Sequence, residues 1–276
     1  MEKSMMQGQK NVPFLVETAL LTHGLSNIGH EELEKRLPRE YPWLVWVDQG
    51  EIIIGDCPRF LSFRKGAHDL LRIDGGMLEK ACQNKMSGAL TASGTMAVAA
   101  KWGIPLAVTA GMGGLNNREG DEICHDLIAL TTLPVTLLAT APKDMLDLPG
   151  TVKWLRDHGV LLWGTDRDVC DGFVFTGEEV KLDGKLCGKI PDRGVALILN
   201  GIDSHKRFTD RKILEQAIKN GEAAHAAGAY YHPAVNYTLD QLTHGKNGEL
   251  QLNSLIDNIY LADKLVTRDG KDCSVE

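Results

Sequence analysis

Two short apolar runs mark the middle of this chain, Leu106 to Ala110 and Val135 to Thr140. Each has the length and apolar content of a buried parallel strand, and each ends at residues that break regular structure. Between them, Asp121 to Leu130 sets Ile123, Leu127 and Leu130 at i, i+4 and i+7, which predicts a helix with one apolar stripe toward a sheet. Strand, loop, helix and strand then form one right-handed crossover. The same reading predicts a strand over Phe14 to Thr22, a helix over Asn27 to Leu37 ended by Pro38, and a hairpin over Trp43 to Gly55 around Asp48-Gln49-Gly50. Cys57 to Lys85 carries little pattern beyond a Gly75-Gly76 turn and a short helix from Met77. A small-residue helix follows over Ser93 to Gly103.

Beyond Gly150 the alternation continues. A helix is predicted over Thr151 to His158, strands over Val160 to Trp163 and Val195 to Leu199, and helices over Ile213 to Ala227, Leu239 to His244 and Ser254 to Val266. Asp171 to Arg193, rich in glycine and charge, reads as a surface excursion. Strands alternating with helices predict an α/β fold in one domain over 13–267, with a flexible segment 1–12 before it and a polar tail 268–276 after it. No internal repeat is present.

Composition narrows the function classes. The chain has 276 residues, 43% of them hydrophobic, and 29 glycines, enough for a large core with many tight turns. No apolar run approaches the roughly 18 residues that span a bilayer, which argues against a membrane partner. Met1 to Lys10 is polar and lacks the apolar centre of a signal peptide, so the six cysteines are expected in a reducing cytoplasm. None is in a CxxC pair, so neither a zinc knuckle nor a redox motif is indicated. A net charge of −7 without a basic run argues against a nucleic-acid partner.

Candidate chemistry converges on one sheet edge. Ligands of open α/β sheets bind outside the carboxyl ends of the strands. There the sequence puts Gly111, Gly113 and Gly114 after the first central strand and Lys143 three residues after the second. Glu122 and Asp126, four apart, share one helix face, where they meet a cation or a sugar, or are solvated charges. Glu17 interrupts an apolar run, a position that suits a paired, catalytic or outward-facing carboxylate. Arg59, Arg64, Lys65 and Arg72 are scattered cations, for a phosphate or for solvent. Asn258, inside the last helix, is a polar residue of the kind often simply exposed.

The sequence also resembles a known family. Ser87 to Gly114 (SGALTASGTMAVAAKWGIPLAVTAGMGG) parallels the NGATTVA-x-TM segment and the ATGGIGG loop of the pseudouridine-5′-phosphate glycosidases, also called indigoidine-synthase-A-like proteins. LVETALLTHG, HDL…TTLPVTLLATAPKDMLD and SLIDNIYLADKLV match three further family segments in order, so that the resemblance covers roughly Phe14 to Val266. It implies a three-layer α/β/α fold with a central, largely parallel or mixed sheet, often assembled as a trimer. It also implies cleavage of a carbon–carbon glycosidic bond through a lysine Schiff base with ring-opened ribose. Carried onto matching positions, it implies Lys143 as nucleophile and Glu17 as general acid/base. Substrate-binding positions would be Arg72, Ala92, Gly113, Gly114, Cys124, His125, Asp126 and Asn258, and Glu122 would hold Mn²⁺ or Mg²⁺.

Departures fall at the phosphate end. The family's lysine-x-serine-arginine-arginine-aspartate motif aligns with Arg72-Ile73-Asp74-Gly75-Gly76-Met77, which keeps one cation. The histidine after the glycine loop aligns with Asn116, and the loop before Glu122 is two residues shorter. Three readings follow. The first is cleavage of pseudouridine 5′-phosphate to uracil and ribose 5-phosphate. The second keeps the same lysine chemistry for an unphosphorylated C-nucleoside or another C-glycoside, including bond formation. The third is a catalytically weak sugar-phosphate-binding protein. Retention of Glu17, Lys143 and Asp126 together speaks against the third, because binding alone requires no nucleophile.

Overall fold

The apolar runs gather into a ten-stranded sheet in the computed structural model. The structure describes residues 12–116, 123–188, 190, 196–228 and 231–267, apart from positions 26, 42 and 67. The strands are β1 (Leu15–Val16), β2 (Leu44–Asp48), β3 (Glu51–Gly55), β4 (Leu71–Ile73), β5 (Gly88–Leu90), β6 (Leu106–Val108), β7 (Gly111–Met112), β8 (Thr136–Ala139), β9 (Ala141–Pro142), β10 (Leu161–Gly164), β11 (Val169–Cys170), β12 (Val180–Lys181), β13 (Gly184–Lys185) and β14 (Ala196–Leu199). The helices are α1 (His30–Arg36), α2 (Cys57–Arg64), α3 (Leu78–Gln83), α4 (Ala92–Trp102), α5 (His125–Thr132), α6 (Leu148–Asp157), α7 (Arg211–Ala226), α8 (Tyr231–Leu242) and α9 (Lys246–Thr267).

Sheet order is β13-β10-β14-β8-β6-β1-β2-β5-β4, with β3 on β2, and β7 pairs with β9 as a small separate ladder. The six strands from β13 to β1 run parallel and carry the core, with Leu106, Val108, Leu137, Leu138 and Ile198 fully buried. Helices α4, α5 and α6 form one flanking layer; α9, lying along β6 and β8 and packed on α8, which meets α7, forms the other. The architecture is three-layer α/β/α in a single domain.

One departure from parallel order shapes the functional edge. β2 starts level with the end of β1 (Val16 opposite Leu44) and runs past it, while β5 pairs antiparallel with β2 and returns. Leu90 at the end of β5 thus meets Thr18: the Leu90 amide donates to Thr18 Oγ1 at 3.1 Å, and the Thr18 amide to the Leu90 carbonyl at 3.2 Å. The start of α4 and the side of β4 therefore reach the ends of β1, β6 and β8 from the opposite direction. Thr91 caps α4 by accepting from the Gly94 amide, as a side-chain oxygen at an N-cap does.

Several expectations hold, and others need correction. Both central strands, the hairpin, α1 and α4 lie where the pattern put them, and α9 covers the predicted Ser254 to Val266 but begins eight residues earlier, at Lys246; Gln49 and Gly50 turn the hairpin with φ of 48° and 83°, the left-handed pair that a tight two-residue loop needs. The strand predicted over Phe14 to Thr22 stops at Val16, and the chain continues as a wide helical turn, Leu20–Gly24, because Thr18 is drawn sideways to β2 and β5. The helix predicted from Asp121 begins at His125. Leu127 and Leu130 face the core as expected, whereas Ile123 precedes the helix and is 44% exposed.

The short helix at Leu239 to His244 is the end of the longer α8, which starts at the buried Tyr231. The Asp171 to Arg193 excursion is not confined to the surface, since Phe173, Val174, Phe175 and Leu182 are buried. Segment 1–11 and the tail 268–276 lie outside the described residues. Among the described residues no helix is long and apolar enough to cross a membrane.

Candidate active site

At this edge two hollows meet, one of about 250 Å³ and a narrower one of about 30 Å³, and Arg72, Thr91, Asp126 and Lys143 line both. Glu17, His23, Ala92 and Gly111 wall the narrow end; Asp74, Gly113, Gly114, Cys124 and His125 wall the wide end. Together they form one crevice, small beside the sites that enclose drug-sized ligands. The sequence reading thus placed most of its candidates in one place.

Glu17 follows β1, its amide donating to the Val108 carbonyl at 3.0 Å, and the residue is only 6% exposed. Burial pushes its carboxyl from 4.5 up to about 7, against the opposing pull of Lys143, Thr109 and Arg72. The Thr109 hydroxyl lies close but has no partner at hydrogen-bonding length, so its help is slight. A carboxyl with a pKa near 7 has both protonation states available at neutral pH, which a proton shuttle needs.

Lys143 comes directly after β9, its amide fixed to the Met112 carbonyl at 3.1 Å and its own carbonyl accepting from Leu146 at 2.9 Å. Its ammonium is driven below the ordinary lysine value, first by desolvation and then by the Arg72 guanidinium; Glu17 and Asp126 oppose this. The site therefore enlarges the neutral, nucleophilic fraction of the amine.

Asp126 is the crevice's clamp. One carboxylate oxygen accepts from the Ser93 amide of α4 at 2.9 Å and the other from the Gly113 amide at 2.8 Å. It ties the start of α4 to the glycine loop, and the remaining lone pairs are what it can offer a sugar hydroxyl. Gly113 is required by close approach: a Cβ there would collide with Cys124 Sγ and lie 3.1 Å from Asp126. The Cys124 thiol is pushed by burial up to about 12, so it packs as a neutral group.

The wide end carries charge nearer solvent. Arg72, on the exposed side of β4, overlooks both hollows. Asp74 accepts from the Met77 amide at 2.9 Å and faces His125 Nδ1 at 3.4 Å. Thr91, Ser93 and Asp74 escaped the sequence reading. The T-A-S-G start of α4 was the available signal for the first two, because such residues cap helices; Asp74 had none.

One expected residue, Asn258, does not line the crevice. Asn258 is fully buried behind it, donating to the Thr109 carbonyl at 2.7 Å and to Thr140 Oγ1 at 3.1 Å and accepting from Asn200 at 2.9 Å. It braces the ends of β6, β8 and β14 instead of lining the hollow. Glu122, and with it the Glu122–Asp126 pair, lies outside the described residues. Among the described residues no group of three or more His, Cys, Asp or Glu side chains is gathered that could hold an ion.

Comparison with known proteins defines the class. The family model for indigoidine synthase A like protein matches residues 3–189, and the chain belongs to that family. A pseudouridine-5′-phosphate glycosidase of Geobacillus kaustophilus (strain HTA426) is 25% identical over 287 residues, spanning 96% of this chain and 95% of the relative. The fold matches the prealnumycin C-glycosynthase AlnA, solved in complex with ribulose 5-phosphate, with a TM-score of 0.73 at 21% identity over 96% of this chain and 94% of that one. It also matches an indigoidine synthase A (IdgA)-like protein of Thermotoga maritima MSB8, with a TM-score of 0.73 at 19% identity over 92% of each chain.

Proposed function

We propose that this chain is a C-glycosyl enzyme that cleaves, or reversibly forms, the carbon–carbon bond between uracil and C1′ of ribose 5-phosphate. The observation that carries this reading is the placement of Lys143 and Glu17 in one crevice, where burial pushes the acid up and the amine down from their ordinary ionisation. Names among the relatives point to the same substrate class.

In this mechanism neutral Lys143 Nζ attacks C1′ while the C1′–O4′ bond breaks, and the proton that the new C–N nitrogen gives up is taken by O4′. Protonated Glu17 then gives its proton to the uracil carbon as the C1′–C bond breaks, and the nitrogen lone pair closes an iminium at C1′. Water, activated by the Glu17 carboxylate, hydrolyses the iminium and restores the lysine. The balance is one C-nucleotide and one water in, uracil and ribose 5-phosphate out. Asp126 keeps the α4 start and the glycine loop in register around the sugar.

Borohydride reduction in the presence of ribose 5-phosphate tests it. A stable adduct on the Lys143 peptide is the expected result. An adduct on another lysine, or none while uracil is still released, would overturn the mechanism.

A second reading, an unphosphorylated C-nucleoside as substrate, is favoured by the crevice's charge. Asp126 already occupies the amides of Ser93 and Gly113, the natural seats for an anion, and Asp74 adds a carboxylate. Among the described lining residues, Arg72 is the one guanidinium. Equal turnover of pseudouridine with and without its 5′-phosphate would select this reading.

A further inference from the structure

Directly after Lys143 stands an acid that the mechanism leaves unused. Asp144 accepts three backbone amides from one distant loop: Phe173 at 2.7 Å on one oxygen, Val174 at 2.9 Å and Phe175 at 3.2 Å on the other. The carbonyls of that loop are held from the opposite side. Arg207, itself 7% exposed, donates to Asp171, Gly172 and Phe175 carbonyls at 3.2–3.5 Å and to the Asp171 carboxylate at 2.8 Å. A segment whose polar backbone would oppose burial is thereby satisfied on both sides, which is how Phe173 and Phe175 come to be buried.

The loop supports both walls of the narrow hollow. Through Asp144 it grips the turn that presents Lys143, and the Phe173 ring lies under Gly111, where a Cβ would collide with it. Gly111 belongs to β7, paired in parallel with β9 immediately before Lys143. An acid beside a lysine in an interior turn is an expensive choice unless its hydrogen bonds fix something.

We propose that Asp144 is the positioning residue for Lys143, anchoring the turn of the reacting amine to a rigid buttress made by residues 171–175. The proposal rests on Lys143 being the reacting amine.

Asp144→Asn tests it in the full chain. Whichever way the amide is turned, its NH₂ faces at least one loop N–H, so the grip is lost without loss of volume. A displacement of about 1 Å at a reacting group costs up to about 100-fold in rate. Turnover is therefore expected to fall about 10- to 100-fold, with KM changed less than about twofold and hydrogen exchange at residues 173–175 accelerated. Phe60→Leu, in the α2 cluster with Trp46 and Phe63 and outside the lining of both hollows, should lower the melting temperature while leaving turnover per folded molecule unchanged.

Wild-type turnover in Asp144→Asn, or a loss matching only the unfolded fraction, would overturn the proposal. Should the unmutated protein release no base from any C-nucleoside, the imine reading has failed. The rate of reductive methylation of Lys143 by formaldehyde and cyanoborohydride, read by mass spectrometry, then decides the positioning role separately. A rate unaltered by Asp144→Asn, with protection at 173–175 intact, would overturn it.

Discussion

Beside the crevice, on the same edge of the sheet, lies a hollow of about 1020 Å³ between the ends of β8, β10 and β14 and the flank of α9. Its walls hold Asp166, Arg167, Asp171, Asp203, Lys206, Arg207, Asp257 and Lys264, four acids and four bases. Inside it, charges find partners. Asp171 meets both Arg207 and Arg167 at 2.8 Å, and although burial pushes its carboxyl up, those hydrogen bonds bring it below the ordinary value. In the crevice, about a quarter of that volume, the acid is driven up and the base down. In the larger hollow Asp171, Arg167 and Arg207 satisfy one another, whereas in the smaller one burial displaces the ionisation of both Glu17 and Lys143. Volume is thus a poorer guide to reaction here than displaced ionisation.

The sharpest way to break that comparison is to remove the amine. Lys143→Ala should lower uracil release on the order of 10⁴-fold or more, because losing a nucleophile removes the covalent route altogether. An ultraviolet assay of base release reads it directly, and a variant within tenfold of the unmutated protein would assign the chemistry elsewhere.

Glu17→Gln comes next, with an expected loss of about 10² to 10⁴ in turnover for general acid/base catalysis. It also carries a stability signature of definite sign. The folded value of about 7 lies above the reference 4.5, so the folded state holds the proton more tightly. Wild-type stability therefore falls as pH rises from about 4.5 to about 7, and the full cost of the buried carboxylate remains above that. Glu17→Gln removes the cost. It should be more stable than the unmutated protein at pH 8, by up to about 3 kcal/mol, and so melt higher, and the difference should vanish toward pH 4.5. A lower melting point at pH 8 would make Glu17 a structural partner of Lys143.

What could be read from the sequence divides along the same line. β6 and β8 announce themselves by unbroken apolar runs, and Lys143 by its place three residues beyond Thr140, because local pattern and topology suffice there. Glu17 was visible as a carboxylate in an apolar segment, although the strand ends before it. The antiparallel return of β5 and β4, which delivers Arg72 and the start of α4, was hidden because β4 is three residues long and largely exposed. Asp144 and the loop 171–175 were hidden for a different reason. Their partners lie about 30 residues away in sequence, and a glycine-rich charged stretch carries no periodic mark of burial. Asn258 read as an often-exposed helix residue, or by resemblance as a substrate contact, and its bracing role was hidden because its three partners come from three separate strand ends.

A smaller effect separates the two substrate readings. A charged hydrogen bond is worth about 1.5–3 kcal/mol, so Arg72→Ala should raise KM for pseudouridine 5′-phosphate roughly 10- to 100-fold while leaving pseudouridine within about threefold. Steady-state kinetics on both substrates checks it. Equal effects on the two would make Arg72 a regulator of Lys143, whose ammonium it already disfavours.

The smallest expected effect is the one that protects the comparison. Asp257 and Lys264, both exposed on the α9 wall of the large hollow, lie away from the crevice lining. Surface substitutions of this kind usually stay within about 0.5 kcal/mol, so Asp257→Ala and Lys264→Ala should leave turnover within about twofold and the melting temperature nearly unmoved. The test bears on mechanism because Asp257 precedes Asn258, the brace between the ends of β6 and β8 behind Glu17 and Lys143. If the large hollow only borders that brace, changing its wall charges does not reach the reacting amine. A tenfold loss of turnover in either variant, with KM and stability intact, would mean that the two hollows act together and that the chemistry is not confined to the smaller one.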